Sequence, residues 1–137
     1  MLNILQKIKS LHFPDGQYII VGSAIMVMHK LKETKDIDIV ISKELFDTYI
    51  ENGWEKVAYT YADKLGQFWL RKDEFELYLD VNHGEEWRPD LKELLSHAEY
   101  FDGIPFLCLN DLLKFKKSYN RSKDQNDIRI IEEYLGI

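Results

Sequence analysis

The run Tyr18-Ile19-Ile20-Val21 is apolar without a break, rich in β-branched residues, and stops at Gly22-Ser23 ahead of a helix-length segment at residues 24–31. A short continuous apolar run bounded by a glycine turn predicts a buried strand, and the segment beyond it predicts a tight turn and a helix. The chain is therefore expected to pack helices against a sheet.

The remaining segments extend that pattern. Leu2, Leu5, Ile8 and Leu11 recur at helical spacing, and Pro14-Asp15-Gly16 then enforces a turn. A second strand is expected at residues 37–41. Ser42 is placed to cap a helix carrying Leu45, Phe46, Tyr49 and Ile50, with Gly53 at its end. Strands are expected at residues 57–61, 67–71 and 75–81, close enough in sequence to be antiparallel. The last third is expected to be helical. Asp90 with Glu93 resembles a capping box, Asn110 can cap residues 111–119, and Ser122 with Gln125 opens a final helix. The expected fold class is α/β in the mixed α+β sense: one domain over residues 1–137, a mixed sheet flanked by helices and a helical C-terminal segment.

Composition narrows the setting. An apolar fraction of 45% suffices for one core. Cys108, the single cysteine, has no disulfide or zinc partner within the chain and reads as a buried structural residue. Lys7 and Lys9 interrupt the apolar N-terminus, so no signal peptide is expected, and no run approaches the ~20 apolar residues of a membrane span. A cytoplasmic protein with no membrane partner is the expectation. The net charge of −6 disfavours nucleic acid as a partner, because it repels a phosphate backbone.

Chemistry concentrates at three places. Gly22-Ser23 joins a strand to a helix, where backbone N–H groups and the Ser23 hydroxyl suit a phosphate. After twelve intervening residues, Asp36-Ile37-Asp38-Ile39 alternates, which sends both carboxylates to one face of a strand. Like charges so close call for a cation of the Mg²⁺ type. Residues 75–81 alternate too, with Glu76, Tyr78 and Asp80 on one face and Leu77, Leu79 and Val81 expected on the core face. Asp80 is expected to meet Asp36 and Asp38 from a neighbouring strand. His12, His29, His83 and His97 lack the spacing of a metal site, and only His83, just beyond Asp80, lies near these acids.

In order along the chain, Val21-Gly22-Ser23, Thr34-Lys35-Asp36-Ile37-Asp38-Ile39 and Leu79-Asp80-Val81 resemble the nucleotidyltransferase superfamily that includes DNA polymerase beta. Residues 111–116 and 121–127 extend the resemblance toward small bacterial antibiotic-type and toxin-type nucleotidyltransferases. The resemblance implies the nucleotidyltransferase fold and transfer of a nucleoside monophosphate from an NTP, ATP among them, to a hydroxyl of a small molecule, a tRNA or a protein. It implies Asp36, Asp38 and Asp80 as catalytic residues and as ligands of Mg²⁺, or of Mn²⁺ in its place. Gly22, Ser23 and Lys116 would bind the nucleotide, supported by Thr34, Arg121 and Asp124. The alternative is an inactive or weakly active protein of this fold, serving as a toxin–antitoxin component or a partner-binding module. Lys32 stands where relatives often carry arginine.

Two further expectations come from spacing and size. Asp124 shares the helical stripe of Ile128, Ile131 and Leu135, so it should face inward and find Lys116 or Arg121. Trp54, Trp69 and Trp87 are many large aromatics for one small core, which suggests a homodimer or a protein partner.

Overall fold

The computed structural model describes residues 3–81 and 89–137. Its centre is a seven-stranded mixed sheet in the order β3-β4-β5-β2-β1-β7-β6. In chain order the elements are α1 (Ile4–Lys9), β1 (Tyr18–Val21), α2 (Ala24–Met28), β2 (Ile37–Ile41) and α3 (Lys43–Glu51). They continue with β3 (Glu55–Ala58), β4 (Phe68–Lys72), β5 (Phe75–Tyr78), α4 (Leu91–Ser96), β6 (Glu99–Phe101), β7 (Ile104–Phe106), α5 (Leu109–Tyr119) and α6 (Gln125–Leu135). The expected mixed α/β class is observed.

All four residues of β1 are buried, as an apolar strand covered on both faces requires. It pairs antiparallel with β2 and parallel with β7, and β2 pairs in parallel with β5. β3, β4 and β5 form the expected antiparallel run. Two helices start where the sequence places capping side chains, whereas Asn110 lies inside α5, whose N-cap is Cys108, and Ser122 opens a 3-10 turn ahead of α6. Ser42 accepts from the Leu45 N–H, and Asp90 from the Glu93 N–H at 2.8 Å.

Three expectations are corrected. The last third is not purely helical, because β6 and β7 form a hairpin there. Its turn, Asp102-Gly103, has φ of 55° and 80°, the two positive values of a type I′ turn, for which Asp-Gly is a strong sequence signal. α2 ends at Met28 rather than at residue 31, with Lys30 beyond it in the left-handed region. β5 ends at Tyr78, so the alternation stops early and Leu79 is exposed instead of facing the core. Of the tryptophans, Trp54 is buried, Trp69 stacks on Tyr78, and Trp87 lies outside the described residues. No helix among the described residues is long and apolar enough to cross a membrane.

Candidate functional site

Register builds the acidic end of the site. Asp38 pairs with Val21 at the end of β1, which sets it against Gly22, and on its other side it pairs with Glu76 of β5. Residues paired directly across strands share a face, so Asp38 and Glu76 point the same way. Asp36, exposed, comes two residues before Asp38. The Asp38 carboxyl is pushed up to about 7, first by burial and then by Glu76 and Asp36, while Lys116 opposes the rise. The Tyr78 hydroxyl donates to Glu76 Oε1.

Asp80 is not the carboxylate that faces Asp38. It lies two residues beyond the last paired position of β5, and Lys64 donates to its Oδ1. The register puts Glu76 in the place expected of Asp80. Alternation along residues 75–81 sends Glu76 to the same face, but Asp80, not Glu76, is the residue that matches the family pattern.

Asp38 and Asp80 nevertheless line one cavity of about 440 Å³, within the size range of small-molecule sites. Gly22 lies on the same wall, and three cations, Lys64, Lys116 and Arg121, reach the lining. Aromatic side chains supply much of the rest. Trp69 and Tyr78 are stacked with centroids 5.4 Å apart and planes at 29°. Lys64 Nζ lies 4.7 Å from the centre of the Tyr59 ring, and the Arg121 guanidinium 4.8 Å from that of Tyr119. Lys64, 6% exposed, has no counterpart among the sequence-based candidates, since one lysine in a polar loop carries no periodic signal.

From Lys116 and Arg121 on the cavity lining, an alternating row of charges ties the C-terminal elements together. Arg121 Nε donates to Asp124 Oδ2 at 2.6 Å, and Lys116 lies 3.3 Å from Asp124 and 3.1 Å from Asp127. Lys32 completes the row at 2.7 Å from Asp127. Asp124 is buried as its spacing required, and its partners are the expected Lys116 and Arg121. The flanking cations hold both carboxyls below the usual carboxylate range although burial acts against them. Lys32, on the segment leading into β2, thereby links α6 to the strand bearing Asp38.

The remaining candidates contribute less. Ser23 is the N-cap of α2 without a side-chain capping bond, and α2 has only five residues, too few for a strong dipole at its start. Thr34 is half-buried in the segment before β2. His29 bonds Tyr134 and Glu99, His97 bonds Asp111, and His83 lies outside the described residues. Cys108, half-buried, precedes α5 as its N-cap, and burial pushes its thiol up.

Among the described residues no three histidine, cysteine, aspartate or glutamate side chains gather into a metal-binding group. The donor set still fits Mg²⁺, which is commonly held by one or two carboxylates plus substrate phosphates and water rather than by an all-protein cage. Asp38 and Glu76 are two hard oxygen donors on one face, with excess negative charge around Asp38. Comparison with protein-family models, curated proteins and solved structures found no match to this chain.

Proposed function

We propose that the protein is a Mg²⁺-dependent nucleotidyltransferase that joins a nucleoside monophosphate from an NTP to an acceptor hydroxyl and releases pyrophosphate. One observation carries this reading: Asp38 sits between Gly22 and Glu76 on the wall of a cavity that Lys116 also lines. Gly22 has no side chain, which leaves room for the Asp38 carboxylate to lie against the strand end. Lys116 and Arg121 offset the charge that builds on the leaving pyrophosphate. Asp38 and Glu76, with Asp36 adjacent, would hold the Mg²⁺, which when bound supplies charge stabilisation at the reacting phosphate. Asp80 belongs to the nucleotide-contacting wall in this reading and not to the metal ligands.

The absence of a three-carboxylate group among the described residues favours a second reading, a module that binds nucleotide without transferring it. Incubation with α-labelled NTPs, Mg²⁺ and candidate small-molecule, tRNA and protein acceptors separates the two. Label transfer lost in Asp38→Asn supports the enzyme. Mg²⁺-dependent NTP binding without transfer to any acceptor supports the module.

A further inference from the structure

A second carboxylate on the cavity lining has its own chemistry. Asp80 lines it, with the side chain about half exposed, while its Oδ1 is held by the buried Lys64. Aromatic rings line the same cavity: Lys64 packs over the Tyr59 ring, and Trp69 and Tyr78, stacked on each other, line it too. A carboxylate offers about four acceptor positions and Lys64 occupies one, so Asp80 keeps acceptors for a ligand. An aromatic cleft with a fixed carboxylate beside a lysine is built to stack a planar ring and read donors along its edge.

We infer that Asp80 and Lys64 form a base-reading subsite selecting guanine, so that the nucleotide of the proposed reaction is GTP. The inference rests on the nucleotidyltransferase reading. Donors and acceptors decide between the bases. Guanine presents two neighbouring N–H donors, the ring N1–H and the exocyclic N2 amine, which match the two oxygens of a carboxylate, and its O6 beside them suits an ammonium donor. Adenine sets an acceptor nitrogen next to its amine, and cytosine does the same. Uracil flanks its one N–H with two carbonyl oxygens. Each of those three points a lone pair at Asp80, and an acceptor facing an acceptor is disfavoured. Asp80 therefore discriminates between nucleotides, while Asp38 and Glu76 are left to the metal.

The test is calorimetric titration of the full chain with the Mg²⁺ complexes of GTP, ITP, ATP and XTP, and of inorganic tripolyphosphate, which has no base. GTP should bind at least ~10-fold more tightly than ATP, with ITP, lacking the exocyclic amine, in between. In Asp80→Asn the carboxylate becomes an amide that can donate. XTP, whose O2 carbonyl replaces the amine, should then overtake GTP, with tripolyphosphate binding unchanged. Equal binding of GTP and ATP by the wild type, or an unchanged GTP:ATP ratio in Asp80→Asn, overturns the guanine assignment and leaves the transferase reading standing. Failure of tripolyphosphate and of every NTP to bind overturns both. The wild-type series decides the assignment even if Asp80→Asn fails to fold.

Discussion

A Cβ placed on Gly22 would lie 2.7 Å from Asp38 Oδ2, closer than real Cβ contacts allow. Gly22 also has φ of +66°, a region that side chains disfavour. Gly22→Ala should therefore cost about 1–2 kcal/mol of stability in denaturant unfolding. It should also displace the Asp38 carboxylate and abolish Mg²⁺-dependent nucleotide binding. A variant as stable as the wild type that still binds nucleotide would show the contact to be incidental.

Asp38 makes the metal-free protein sensitive to pH. Its carboxyl is raised from 3.8 to about 7 in the folded protein, so between those values the folded chain holds a proton that the unfolded chain has released. Stability from this group is fully present below about pH 4, falls as pH rises through about 7, and is flat above, at no more than ~1.4 kcal/mol per pH unit. Asp38→Asn lacks this fall. The variant should melt higher than the wild type at pH 8, and its advantage should shrink as the pH is lowered toward 4. Equal gaps at both pH values would remove Asp38 as the cause.

The charge row responds in the opposite direction. Asp124 and Asp127 are held below the usual carboxylate range, so their stabilisation is present above about pH 4 and is lost as pH falls through their folded values. Lys116→Met removes the cation they share while Arg121 and Lys32 each keep one partner. A loss of about 2–3 kcal/mol at pH 7 is expected, below the 3–5 typical of an unpaired buried charge. The loss should be smaller at pH 3, which acid-dependent melting curves would show.

The centre of the sheet and two of the helix caps are legible in the sequence because they depend on local signals. The apolar run at Tyr18–Val21 and the alternation at Ile37–Ile41 mark β1 and β2 at their observed bounds, and Ser42 and Asp90 announce their helices. The identity of the carboxylate facing Asp38 is not legible, because register between β2 and β5 is set by pairing, and alternation places Glu76 and Asp80 on the same face equally well. The hairpin of β6 and β7 is signalled by Asp102-Gly103 but hidden among helical patterns, its strands being only three residues each. Lys64 and the aromatic wall come together only when the segment after β3 folds over the sheet, which no spacing within the sequence records.

The most direct test of the site is Mn²⁺ binding followed by electron paramagnetic resonance in the presence of inorganic tripolyphosphate, which needs no base recognition. The wild type should bind Mn²⁺ more tightly with tripolyphosphate than without it. Asp38→Asn and Glu76→Gln should each weaken that binding by ~10-fold or more, whereas Asp80→Asn should leave it unchanged. Binding that survives in Glu76→Gln but is lost in Asp80→Asn would contradict the account, returning the third carboxylate to Asp80; no Mn²⁺ binding by the wild type would contradict the metal site altogether.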